Sequence, residues 1–276
     1  MQTPFFRTHA VQREKAVSEI AVLILSCDKY HDLWRPFFTL FFRYWPDCPY
    51  PVYLVSNYHR YPDARVKAIA VGEDRDWSSS LAIALKQIPE RYVILLLEDY
   101  LLTRPVSTAM IETLAAYMRQ RRAGCLRLYP CPGPDVSCPD NMEVGEILKG
   151  SAYRLSTQAA IWDKLVLLGL LRQGETPWEL EGLGSKRTNA LDAPFLSVKR
   201  NDDNIYPISY FCTAVVRGKW VPAAVRLCRK EDIQVDLGIR PLETRRDRLR
   251  RSRIYRMSAR LHARSISIRH WGSGEK

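Results

Sequence analysis

The chain has 276 residues, enough for one large α/β domain or two small ones, and its 46% hydrophobic and 26% charged residues exclude disorder as its main state. No apolar run approaches the roughly 20 residues that span a bilayer, and the first residues mix Arg7, Arg13 and Lys15 with acids instead of forming an apolar export core. The net charge of +12 is unevenly placed: residues 239–276 hold twelve Lys and Arg against three acids, so the rest of the chain is nearly neutral.

In chain order, residues 20–26 form a continuous apolar run of strand length, as expected for a strand covered on both faces. Residues 51–56 and 92–97 repeat the pattern, and 125–129 add a strand with alternation. Between them, 32–44, 78–87 and 107–121 read as helices, the last with Ser107 as N-cap. After a proline-rich loop from Pro130, the apolar spacing predicts a helix over 157–171. Another helix opens at Thr176, with Pro177 in the first position and Glu179 three residues after the cap. Short strands follow at 195–199 and 213–216. The expectation is a single Rossmann-like α/β domain over 1–238, with a mostly parallel central sheet flanked by helices, and a basic amphipathic helical tail over 239–276.

The seven cysteines, an odd number in a chain that can bury its own core, point to reduced thiols and a cytoplasmic location. Cys125, Cys131 and Cys138 stand six and seven residues apart with no histidine near, which does not match a zinc site. The five histidines show no ligand spacing either, and neither a P-loop nor a dinucleotide glycine motif is present.

Ligands of open parallel sheets bind at the carboxyl ends of strands. Glu98-Asp99-Tyr100 follows the most apolar strand of the chain, where carboxylates suit a divalent cation or ribose hydroxyls. The plainer alternative is a helix cap or an arginine partner. Glu179 and Glu181 are two residues apart, so on a helix they point roughly 200° from each other and do not form a coupled pair. Glu179 also has a capping explanation. Trp178 reads as a buried aromatic.

Several of these segments, in their order, resemble the glycosyltransferase A fold (GT-A). Val93-Ile-Leu-Leu-Leu-Glu-Asp-Tyr100 is similar to its strand with an Asp-x-Asp-type sequence, Leu23-Ile-Leu-Ser-Cys-Asp-Lys-Tyr30 to its first strand and nucleotide loop, and Val55-Ser-Asn57 to the end of its second strand. Ser156-Thr-Gln-Ala-Ala-Ile-Trp162 followed by Pro177-Trp-Glu-Leu-Glu181 resembles bacterial surface-polysaccharide and lipopolysaccharide glycosyltransferases. The resemblance covers about residues 18 to 230. It implies a nucleotide-sugar donor held by Ser26, Asp28, Asn57, Glu98, Asp99 and Tyr100, a saccharide or lipid-linked acceptor near Trp178, and an inverting transfer.

Such a transfer needs a carboxylate base; Glu181 is favoured and Glu179 is the alternative. The sequence departs from the family pattern at Tyr100, where a third carboxylate is absent, so dependence on Mn or Mg is open, with Asp99 as the metal ligand if one binds. Otherwise Arg217 or Lys219, flanking Gly218, is expected to neutralise the diphosphate, unless that segment is a solvated turn. The tail, from Arg245 through Arg264, has an apolar stripe of Leu249, Ile254, Met257 and Leu261. It reads as a binder of an anionic membrane, placing the protein at the inner face of the cytoplasmic membrane. The competing readings are a basic nucleic-acid-binding protein and a sugar-phosphate nucleotidyltransferase, the latter normally carrying a glycine-rich loop that Ser26-Cys-Asp-Lys-Tyr30 lacks.

Overall fold

In the computed structural model the described residues are 18–211 and 213–249, so the expected tail from Arg250 onward lies outside them. Strand β1 (Ile20–Leu25) is buried along its whole length. Its alternate side chains divide: Ile20, Val22 and Ile24 enter one core layer, Ala21, Leu23 and Leu25 the other. A continuous apolar run gives this arrangement when both faces of a strand are covered. Helix α1 (His31–Tyr44) brings Leu33, Trp34, Phe37, Phe38 and Phe41 into the first layer.

Strands β2 (Val52–Ser56) and β3 (Val66–Ala70) lead to α2 (Trp77–Gln87), which packs Leu81, Ala84 and Leu85 into the second layer. Strand β4 (Tyr92–Leu97) precedes α3 (Thr108–Gln120), whose expected cap forms: the amide of Met110 donates to Ser107 Oγ at 3.3 Å. Then come β5 (Cys125–Arg127), β6 (Val136–Ser137), β7 (Val144–Glu146), β8 (Ala160–Asp163) and α4 (Lys164–Leu170). Helix α5 (Pro177–Glu179) continues through a π-helical turn (Leu180–Gly184) into α6 (Ser185–Arg187). Strand β9 (Phe195–Val198), the hairpin of β10 (Val215–Val216) and β11 (Lys219–Trp220), and α7 (Pro222–Lys230) complete the order.

Among the described residues the main sheet has nine strands in the order β3-β2-β1-β4-β8-β5-β9-β7-β6. The run β3-β2-β1-β4 is wholly parallel, the strand order of a Rossmann-like half, and puts four carboxyl ends on one edge. Strand β8 runs antiparallel between β4 and β5, and β9 returns parallel to β5. Since β8 points the other way, the residues leading into it stand beside the carboxyl end of β4.

The region 157–171, expected as one helix, is a strand followed by a helix. Ala160–Asp163 is β8, and the Asp163 side chain caps α4 by accepting from the amide of Leu165 at 3.0 Å. Ala-Ile-Trp fits either period over so few residues, and tertiary pairing decides. The segment 239–249 is fastened to the body: the amide of Trp220 donates to the Pro241 carbonyl at 2.9 Å and the amide of Glu243 to the Trp220 carbonyl at 2.8 Å.

Candidate functional site

The carboxyl ends of β1 and β2 meet through Asp28 and Asn57. The Asp28 carboxylate accepts from the amides of Asn57, Tyr58 and His59 at 3.0 to 3.3 Å, and the amide of Asp28 donates to Asn57 Oδ1 at 2.9 Å. Asn57 Nδ2 then reaches the carbonyl of Gly72 at 2.9 Å, just past β3, where φ of +77° suits a residue without Cβ. Ser26 Oγ accepts from Trp34 Nε1 at 2.8 Å. All three predicted donor residues therefore stand on the expected edge, with these polar groups engaged in holding the strand ends in register.

At the end of β4 the two acidic residues differ. Asp99 is tied down: Thr213 Oγ1 donates to its Oδ2 at 2.5 Å, and the amide of Ala214 donates to its carbonyl at 3.0 Å. The Glu98 side chain has no hydrogen bond or ion pair among the described residues and is only partly exposed. Burial, reinforced by the charge of Asp99, raises its pKa, and burial raises that of Asp99 as well. Glu98 caps no helix, and Arg240, whose charge opposes the rise in its pKa, makes its hydrogen bonds to Asp32.

Beside this pair lies an ion pair that sequence reasoning missed. Arg240 Nε and Nη2 donate to Asp32 Oδ2 and Oδ1, each at 2.9 Å, with the two side chains only 7% and 4% exposed. Arg240 also donates to the Lys29 carbonyl at 3.3 Å and lies over the Tyr30 ring, 4.6 Å from its centroid. The Cys27 thiol belongs to the same recess; burial, then Asp74 and Glu98, push its pKa up to about 11.

Among the described residues no group of three or more His, Cys, Asp or Glu could hold a metal ion. Asp32 is neutralised by Arg240, one oxygen of Asp99 is taken by Thr213, and Tyr100 stands at the position a third carboxylate would fill.

Tyr100 connects the acidic pair to the second half of the site. It is 3% exposed, stacks on Tyr210 at 4.6 Å between centroids, and its hydroxyl donates to the Thr157 carbonyl at 3.3 Å. Thr157 in turn donates from its amide (2.7 Å) and hydroxyl (2.9 Å) to Glu181 Oε1, and Ser156 Oγ adds a third donor at 3.2 Å. Glu181 Oε2 has no hydrogen-bond partner among the described residues. The carboxylate is thus oriented by one oxygen and offers the other.

Glu181 sits in the π-helical turn, a local widening of the helix that recurs at functional sites. The turn is braced by a two-bonded fork between Arg187 and Glu175 at 2.7 and 2.6 Å. Glu179 forms the expected capping box, accepting from the amide (2.9 Å) and hydroxyl (2.8 Å) of Thr176, which lowers its pKa. Trp178 is 78% exposed, so burial does not account for it.

Arg217 and Gly218 have φ of +50° and +73° and form the turn of the β10–β11 hairpin. Arg217 is exposed, and the Lys219 ammonium is committed to Asp247 at 2.9 Å. The cation that meets the acidic end of β4 is Arg240. Its only local sign in the sequence is its separation from the arginine cluster that begins at Arg245. Thr213 carried no sign of its own, since it acts on a carboxylate 114 positions away.

No family model matches the chain, and no curated protein matches it. Among solved structures, S. aureus TarS 1-349 is 15% identical with a TM-score of 0.46, covering 79% of this chain and 66% of that one. Its complex with UDP-GlcNAc gives 13% identity, a TM-score of 0.48, and coverage of 79% and 67%. The bifunctional IspDF from Campylobacter jejuni gives 15% identity, a TM-score of 0.39, and coverage of 70% and 52%. The chain thus spans 66% of the length of the first of these, and likeness of this degree assigns no role to any residue.

Proposed function

We propose that this chain is a GT-A-type glycosyltransferase that moves a sugar from a nucleotide-sugar donor to a hydroxyl of a lipid-linked or saccharide acceptor in bacterial polysaccharide or lipopolysaccharide biosynthesis, with inversion. The observation that carries the reading is the unpartnered Glu98 beside Asp99 at the carboxyl end of β4, joined through Tyr100 and Thr157 to the oriented carboxylate of Glu181.

In this reading the donor lies across the ends of β1 and β4. Glu98 and the Asp99 oxygen that Thr213 does not hold accept hydrogen bonds from its ribose and sugar hydroxyls. Glu181 Oε2 takes the acceptor hydroxyl's proton as the acceptor oxygen bonds to the anomeric carbon, and the bond to the diphosphate breaks on the opposite face. The nucleoside diphosphate leaves with the electron pair. The three donors on Oε1 keep the base aimed, and geometry of this kind separates a general base from a merely nearby acid. Trp178, exposed on the same helical segment, offers its face to an acceptor sugar. A basic tail approaching an anionic membrane from the cytoplasmic side would bring the site to a lipid-linked acceptor.

The test is a thermal-shift screen against nucleotide sugars with and without Mn, followed by transfer assays with the donor that binds. Stabilisation by at least one nucleotide sugar is expected; no response to any of them would remove the donor site.

A further inference from the structure

The Asp32–Arg240 pair is not an ordinary buried salt bridge. A guanidinium has five N–H groups, and Asp32 and the Lys29 carbonyl engage only Nε and Nη2. Nη1 has no partner among the described residues, although the side chain is 7% exposed. The hairpin turn at Gly218 stands next to it, Nη1 lying 3.8 Å from where a Cβ on that glycine would be, an ordinary van der Waals distance. Tyr30 closes one face of the guanidinium. A largely buried, oriented arginine with unspent donors is suited to a phosphate group, whose paired oxygens match its planar fork.

We propose that Arg240 holds the diphosphate of the nucleotide donor through Nη1, so that the segment 239–249 is a working part of the donor site. This rests on the nucleotide-sugar reading above. The role expected of Arg217 or Lys219 passes to a residue that lies beyond the hairpin and is seated by Asp32. The segment is itself secured by Lys219 and Asp247, by the backbone bonds of Trp220 to Pro241 and Glu243, and by the buried side chain of Glu243. Lys219 then serves the site indirectly, by fixing the strap that delivers the cation.

The experiment is calorimetric titration of the full chain with UDP, GDP, ADP and CDP and with the four matching nucleosides. The wild-type protein should bind at least one diphosphate. Arg240→Gln should weaken that diphosphate by roughly 10- to 100-fold, the loss of one or two charge-assisted bonds, while the matching nucleoside changes less than about threefold. Arg240→Lys should fall between, since an ammonium keeps the charge but cannot fill the fork and reach the phosphate together.

Removing one member of a buried pair can unfold a protein, so the double variant Asp32→Asn/Arg240→Gln, which strands no charge, should keep the fold and show the same selective loss. Diphosphate binding by the wild type that survives unchanged in the double variant would overturn the role of Arg240 and leave the glycosyltransferase reading standing. Equal losses for diphosphate and nucleoside would reduce Arg240 to a structural part. A wild-type protein that binds no diphosphate would remove the donor reading and this inference with it.

Discussion

The two carboxylate centres of this molecule are built in opposite ways. At the end of β4, Glu98 has no hydrogen-bond or ion-pair partner among the described residues, and burial opposes its charge. In the π-helical turn, Glu181 receives three donors on one oxygen and is partly open on the other side. A group left unpaired in a recess invites a ligand to complete it, whereas a group clamped by its own scaffold is set to act on something that arrives. In the proposed function, the first centre binds and the second transfers the proton.

The sharpest way to break that contrast is Glu181→Gln. The amide keeps the shape but cannot take a proton, so turnover should fall by roughly a hundred- to ten-thousand-fold with donor affinity nearly unchanged, read by comparing kcat with calorimetric Kd. If Glu179→Gln produces this loss instead, the base is the capping residue. Asp99→Ala is next in size: it removes the group that Thr213 holds and should weaken the donor by about tenfold or more, again by calorimetry, while transfer drops to background. Trp178→Ala should raise KM for the acceptor about fivefold, the worth of one aromatic contact, and leave donor affinity and Tm alone because the ring is 78% exposed. Tyr100→Phe should cost about 1 kcal/mol in chemical denaturation for the lost hydrogen bond to Thr157, with a modest fall in kcat as Glu181 loosens.

The smallest effect is a slope. The raised pKa of Glu98 means that the folded chain holds a proton the unfolded chain has released, so stability declines as pH rises from the ordinary value of 4.5 toward the raised one. Glu98→Gln should flatten that decline, and its Tm relative to wild type should increase with pH. A constant difference across the range would mean that Glu98 is not buried in the way described.

Much of this architecture could be read in the sequence where one element answers to its own residues. The unbroken apolar runs of β1 and β4 announce strands covered on both faces, and the capping box of Thr176 and Glu179 is complete within four consecutive positions. The acidic end of β4 and the carboxylate after Trp178 were legible for the same reason. What escaped depends on distance. Thr213 meets Asp99 across 114 positions, and Arg240 meets Asp32 across 208, so neither partner carries a local signal. Strand β8 escaped because its few apolar residues satisfy both periodicities and only the gap between β4 and β5 selects one.

The order of the sheet has a consequence for how the molecule behaves in a crowded solution. Among the described residues the nine-stranded sheet ends in two edges with unpaired backbone groups, each a potential template for a second chain. One edge is β3, where Lys67 projects into solvent between the buried Val66 and Ile69. The other is β6, only two residues long, with Pro134 shortly before it and Pro139 shortly after. A charge on one side and brevity with proline on the other discourage strand addition. The least conspicuous strands of the fold thereby protect its solubility, and exchanging Lys67 for a β-branched apolar residue would remove that protection from the longer edge.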